Sequence, residues 1–221
     1  MNPEAGSIKA VAFDMDGLMF NTEDLYDDVG ETLLQRRGFT FERDLKMKMM
    51  GRPGKEAFQI MVDYHDLDDS IEQLTSETRA IFAELLPGRL ETMPGLIELL
   101  NHLDELGLPK CVATSSHRQF ADQALGQFNL SPRFEFVLTA DDVERGKPHP
   151  DIYVAAAARF QIATASMLVL EDSVTGSTAA AAAGAKVIAI PTSHSKGQDF
   201  SHVDDVVESL AADLIRDVLK N

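Results

Sequence analysis

The chain has 221 residues, with 36 Asp and Glu against 20 Lys and Arg, a net charge of −16. No Lys/Arg-rich run offsets that charge, which argues against nucleic acid or an anionic membrane as a partner. Hydrophobic content of 44% and one cysteine, Cys111, describe a globular chain without an internal disulfide, long enough to bury roughly 70% of its unfolded surface.

The opening residues, MNPEAGSIKA, have neither the apolar core of a secretory signal nor the Arg-rich pattern of a transit peptide. No run of 18 apolar residues exists to form a transmembrane helix, so a cytoplasmic location is expected. Lys9 to Phe13 is a short apolar run, the pattern of a buried strand in a parallel sheet. It stops abruptly at Asp14-Met15-Asp16-Gly17. In an open α/β sheet ligands bind just outside the carboxyl ends of the strands, so two acids stand at the mouth of a site. They repel each other, and a hard divalent cation offsets the repulsion. Taken alone, the same residues also suit an N-cap or a turn.

Helical patterns follow: Thr22 to Arg37, Arg43 to Met50, Lys55 to Tyr64 and Ser70 to Leu86, with a break at Gly51-Arg52-Pro53-Gly54. From Pro94 the pattern alternates. Helices are expected over 96–106, 118–128, 151–160, 174–183 and 206–219, and strands over 109–114, 134–138, 167–170 and 187–190. Alternation of this kind means a parallel sheet covered on both faces. The first strand lies before the helical block and the others after it, so the block, residues 21–88, reads as an insertion into a core of residues 1–20 and 89–221. Linkers near Phe20-Asn21 and Pro87-Gly88 would let such a body open and close. The alanine run 179–183 reads as a helix packed closely on the sheet, and Cys111 as a small core residue.

Other segments end in polar residues at the same expected edge: Thr114-Ser115-Ser116 after the second strand, Lys147 in Gly146-Lys147-Pro148, and Glu171-Asp172-Ser173 after a later strand. Each has a plain structural reading by itself: a strand-end threonine, a solvated lysine, acids at a helix N-terminus. Together they make a phosphoryl-transfer set. Asp14 is suited to attack phosphorus and Asp16 to act as general acid and base. Thr114, with the loop N–H groups that follow it, can bind phosphoryl oxygens. Lys147 can neutralise nucleophile and phosphoryl group, and Asp172, with Glu171, can complete a magnesium shell. Four carboxylates against one lysine would repel a phosphate dianion unless Mg²⁺ is bound.

These motifs resemble the haloacid dehalogenase superfamily of aspartyl-phosphate enzymes, and within it the branch holding β-phosphoglucomutase and small-molecule phosphatases, pseudouridine phosphatases among them. Asp14-Met15-Asp16-Gly17 matches the first motif, Thr114-Ser115 the second, Lys147 in Gly-Lys-Pro-His-Pro-Asp the third, and Glu171-Asp172-Ser173 with Gly176 the fourth. The resemblance implies an α/β fold: a Rossmann-like parallel-sheet core with an inserted helical-bundle cap. It implies Mg²⁺ held by the Asp14 side chain, the Asp16 backbone carbonyl and Asp172, with Glu171 a ligand or just behind one. It also implies phosphate binding by Thr114, Ser115 and Lys147.

Dehalogenase and phosphonate-cleaving members lack the second acid, so Asp16 favours phosphate monoesters. A receiver domain of phospho-signalling would be much shorter and have no cap. Substrate selection falls on the cap and its hinge, with Asn21, Tyr26, Arg52 and Lys55 as candidates; the last two are equally readable as solvated residues of a turn. β-Phosphoglucomutases carry a histidine where this chain has Tyr26, and basic residues where it has Met50 and Gly54. The expectation is therefore a monomeric phosphatase for a small phosphorylated metabolite, with a phosphosugar mutase as the alternative.

Overall fold

The structure is a computed structural model that describes residues 7–49 and 54–220. The chain forms two compact units, one running up to Asn21 and again from Glu91, the other Thr22–Leu90. These boundaries lie one and two residues beyond the expected 20/21 and 88/89.

In the first unit, strand β1 (Ala10–Phe13) is buried at every position. The chain then leaves through helices α1 (Thr22–Gln35), α2 (Arg43–Met49), α3 (Gly54–His65) and α4 (Ile71–Arg89). It returns as α5 (Leu96–Glu105), β2 (Lys110–Ala113), α6 (Arg118–Gln127), β3 (Phe136–Leu138) and α7 (Asp151–Phe160). Strand β4 (Met167–Glu171), α8 (Val174–Ala182), β5 (Lys186–Ala189), β6 (Asp205–Val206) and α9 (Asp213–Val218) complete it. The six strands pair in parallel in the order β3-β2-β1-β4-β5-β6. This is the Rossmann-like α/β arrangement. The chain reverses direction across the sheet at β1, so a crevice opens there between the loops after β1, β2 and β4. Register brings those ends level: Phe13 lies opposite Val112 and Leu170.

The alanines of α8 serve close packing. Ala179 and Ala180 are fully buried in one cluster with Met167, Val169 and Val187. Cys111 is buried in β2, and burial pushes its thiol pKa up, as for an inert core residue.

Two expectations fail. Residues 206–219 are not one helix: Asp205–Val206 is an edge strand, and the helix is confined to Asp213–Val218. Backbone groups along β5 decide this. Val187 N–H donates to Asp204 Oδ2 (2.7 Å), Asp204 N–H to Val187 O (3.1 Å) and Val207 N–H to Ala189 O (2.9 Å). Those bonds satisfy an edge that a helix would leave bare. The second misreading is the linker at Pro87-Gly88, because α4 runs on to Arg89. Leu86 and Leu90 are both buried, and Leu90 N–H closes on Leu86 O (3.1 Å) beyond the proline. Tertiary burial outweighs the local cost of Pro87.

Within the helical unit, Arg37 ties the end of α1 to α4. Its guanidinium donates to both Asp69 oxygens (2.9 and 2.7 Å), to Glu77 Oε2 (2.6 Å) and to Leu33 O (2.8 Å). Those hydrogen bonds hold the Asp69 and Glu77 carboxyls below their ordinary range. Arg37→Ala is expected to cost about 1–3 kcal/mol, the worth of hydrogen bonds to charged groups. Because both carboxyl pKa values are depressed by folding, the contribution is complete above the ordinary carboxylate range. It disappears as pH falls through the lowered folded values. Thermal melts of both proteins across acidic pH should converge; a gap that persists at low pH would refute the ion-pair origin.

Candidate active site

Asp14 follows β1 directly, and its N–H donates to Leu170 O (3.0 Å), so the strand ladder holds its backbone. Met15 beside it is fully buried, which leaves Asp14 and Asp16 sharing the alternate side. Gly17 then turns the chain at φ 79°, a left-handed conformation that favours glycine. Its N–H donates to Phe20 O (2.9 Å). Asn21 is a clamp of the returning chain. Its N–H donates to Glu91 O (3.2 Å), and its side-chain Oδ1 accepts from Glu91 N–H (2.8 Å).

Strand β2 ends in the buried Thr114, whose Oγ1 donates to Asp16 Oδ2 (3.0 Å). Ser116 Oγ donates to the same oxygen (2.8 Å), and Ser116 N–H donates to Thr114 Oγ1 (3.0 Å). Two hydroxyls therefore fix one face of the Asp16 carboxylate. Ser115, the sequence candidate, is exposed on the same turn. Ser116 is a contributor that the sequence reading passed over. Which of two adjacent serines faces Asp16 depends on the turn, and no spacing rule reports it.

Lys147 reaches the same place from the loop before α7. Its ammonium lies 2.5 Å from Asp14 Oδ1, 2.7 Å from Glu171 Oε1 and 2.9 Å from Ala113 O. Glu171, at the end of β4, is wholly buried and fully engaged. Oε1 also accepts from the Tyr153 hydroxyl (2.8 Å), and Oε2 accepts from Ser173 N–H (3.3 Å) and Ser173 Oγ (3.0 Å). A Cβ placed on Gly176 would lie 1.7 Å from Glu171 Oε1, so only glycine leaves room for this carboxylate. Asp172 is buried, and its backbone carbonyl accepts from Ser195 Oγ (2.7 Å).

Carboxylate oxygens of Asp14, Glu171 and Asp172 lie within 4.8 Å of one another, and all three residues are buried. Burial, then the charge of Glu171, pushes the Asp14 pKa well above the ordinary carboxylate range, and Lys147 offsets this only in part. Burial works against the Lys147 charge, but Asp14 and Glu171 outweigh it and hold the ammonium pKa well above the usual lysine value. Burial, then Glu171, likewise pushes the Tyr153 phenol pKa up. A compact set of buried hard oxygen donors with excess negative charge fits a hard divalent cation.

Residues 11–190 match the profile of the family described as haloacid dehalogenase-like hydrolase. This chain belongs to that family. Over 213 residues this hydrolase is 38% identical to a mitochondrial (DL)-glycerol-3-phosphatase 1 of Arabidopsis thaliana, covering 93% of this chain and 71% of that one. It is 35% identical over 205 residues to a probable pseudouridine-5′-phosphatase of Drosophila melanogaster, covering 90% and 88%. Among solved structures it is similar to a putative β-phosphoglucomutase from Thermotoga maritima, with TM-score 0.82, 26% identity and coverage of 96% and 97%. The hydrolase is a phosphoric monoester hydrolase.

The other sequence candidates of the hydrolase belong to the helical unit. Tyr26 is about half exposed, with its ring 4.8 Å from that of Phe82. Lys55 is exposed in the first turn of α3 and lines a cavity of about 320 Å³ with Ile71, Glu72, Thr75, Ser76 and Arg79. Arg52 and Met50 lie outside the described residues. No helix of the described chain is long and apolar enough to cross a membrane.

Proposed function

We propose that this hydrolase is a Mg²⁺-dependent phosphatase that cleaves a small phosphate monoester through an aspartyl-phosphate on Asp14. The observation that carries the reading is the sharing of Lys147 between Asp14 and Glu171, beside an Asp16 oriented by two hydroxyls. Asp14 attacks phosphorus, and Asp16 gives a proton to the leaving alkoxide oxygen. Asp16 then takes a proton from water as water attacks the acyl phosphate, releasing inorganic phosphate and restoring Asp14. Lys147 stays protonated throughout and draws negative charge off the phosphoryl oxygens in both transition states. Thr114, with the N–H groups of its turn, keeps Asp16 aimed and offers the phosphoryl group a donor once substrate competes for it. Asp14, Asp172 and the Asp16 carbonyl would hold Mg²⁺. Glu171 stands mainly behind Lys147, because both of its oxygens are already engaged. When bound, the metal supplies Lewis-acid stabilisation of phosphoryl charge and cancels carboxylate repulsion.

Names of the relatives direct the substrate choice to polyol phosphates and nucleoside-like monophosphates. A mutase is the second reading, favoured by the likeness to a putative β-phosphoglucomutase. The test is a phosphate-release screen over glycerol 3-phosphate, pseudouridine 5′-phosphate and hexose phosphates. We expect turnover that EDTA abolishes and Mg²⁺ restores; activity indifferent to chelation would overturn the proposal. β-Glucose 1-phosphate with a bisphosphate activator is a separate arm. Glucose 6-phosphate formed faster than inorganic phosphate would decide for the mutase.

A further inference from the structure

We infer that Tyr153 is a positioning residue for this reaction: its hydroxyl, acting through Glu171, holds the Lys147 ammonium on Asp14. The inference rests on the proposed roles of Asp14 and Lys147.

Tyr153 stands in the first turn of α7, six residues after Lys147, and is fully buried. Its neighbours in the core cluster are apolar, among them Ala12, Leu138, Ile152 and Val169. Packing alone would be served by phenylalanine. Burying a hydroxyl without a hydrogen bond is unfavourable, so its presence calls for a partner. That partner is Glu171 Oε1, the same oxygen that accepts from Lys147.

The consequence follows from counting protons on Lys147. An ammonium has three N–H donors, and here three acceptors receive them: Asp14 Oδ1, Glu171 Oε1 and Ala113 O. Ala113 O is fixed by the β2 backbone. Glu171 is the adjustable acceptor, since the terminal torsion of a glutamate is broad and the donors on its two oxygens set where it rests. Ser173 engages Oε2, and Tyr153 engages Oε1. Without the phenol, Oε1 keeps only Lys147 as donor, so the acceptor that should place the ammonium is held on that oxygen by the ammonium alone, and the two can shift together. Displacement of a charged group by about 1 Å is enough to cost a phosphoryl-transfer site much of its rate.

Tyr153→Phe isolates the hydroxyl. The ring stays in its core position and keeps its face toward Lys147, whose Nζ lies 5.1 Å from the ring centroid. Four proteins answer the question with p-nitrophenyl phosphate and saturating Mg²⁺: wild type, Tyr153→Phe, Lys147→Ala and the double variant. Should Lys147→Ala fail to fold, Lys147→Met keeps the alkyl stem and takes its place. We expect Tyr153→Phe to lower kcat about 5- to 10-fold, the worth of one hydrogen bond, with KM within about twofold. In the Lys147 variant background the same change should lower kcat by less than about twofold, because the group it positions has gone. Three results overturn the inference: an unchanged kcat in Tyr153→Phe, a loss confined to KM, or an equal proportional loss in both backgrounds. A Lys147 variant as active as wild type would overturn the reading beneath it as well, and is a separate observation from any of these.

Discussion

Asp14→Asn should reduce turnover at least about 10⁴-fold, the scale on which enzymes lose activity with their nucleophile. An amide nitrogen or oxygen at this position has no charge to bring to phosphorus. The substitution keeps the size and shape of the side chain, and backbone geometry is held independently by the bond from Asp14 N–H to Leu170 O. Stability should therefore survive, and in the metal-free protein it should rise. The Asp14 carboxyl is pushed up by burial and by the Glu171 charge. An acid whose folded pKa lies above its unfolded one loses stability as pH climbs from the unfolded value to the folded one, and the deficit persists at neutral pH. Asparagine removes that deficit. Mg²⁺ should then raise the melting temperature of wild type by more than it raises that of the variant, because the variant offers a neutral amide oxygen where wild type offers a charged carboxylate. Phosphate release and thermal melts with EDTA or Mg²⁺ check both halves. Turnover within tenfold of wild type would remove Asp14 as nucleophile, and a variant that melts lower without metal would refute the charge argument.

The core was readable because its strands are apolar runs that stop at polar residues. Ala10–Phe13 stops at Asp14, the strand ending at Ala113 stops at Thr114, and the run 167–170 stops at Glu171. Period and punctuation locate such elements without any knowledge of what packs on them. Groups whose role exists only in three dimensions escaped. Tyr153 lies in the run DIYVAAAARF, which reads as one apolar helical face. The reason for its hydroxyl lies 18 residues away in Glu171. Ser116 is one of two adjacent serines, distinguished only by the turn that aims it at Asp16. Asp205–Val206 failed for a related reason: a valine pair in a stretch with helical spacing becomes strand only because β5 has bare backbone groups beside it. Asn21 is a substrate-selecting candidate only by its place at the hinge in the sequence; in the fold its side chain accepts from Glu91 N–H. The candidates for substrate selection, Tyr26 and Lys55, were the least readable, since exposed Lys and Tyr side chains have no periodic signature.

Lys147→Ala is expected to lower kcat about 10²- to 10³-fold, as the loss of one preorganised donor does at an oxyanion site. The lysine side chain is 4% exposed, the only cation in contact with Asp14 and Glu171 among the described residues. Removing it leaves two buried carboxylates without the cation they share. Deleting one partner of a buried ion pair costs about 3–5 kcal/mol, so the metal-free variant should melt well below wild type. Mg²⁺ should recover much of that stability, because a divalent cation restores the missing charge. It should not recover the rate, because the ammonium contacts the nucleophile from the β2 side, where Ala113 O holds it. The two readouts thus separate the roles of metal and lysine. The pH profile adds a third. In the metal-free protein Asp14 and Glu171 outweigh burial and hold the Lys147 pKa well above its ordinary value, so an alkaline fall in wild-type activity is expected to belong to another group. Lys147→Ala should lower the whole profile and leave the position of that alkaline limb in place. A variant with undiminished kcat and only a lower melting temperature would make Lys147 a structural counter-ion. A limb that moves with the substitution would mean the ammonium titrates in the working range after all.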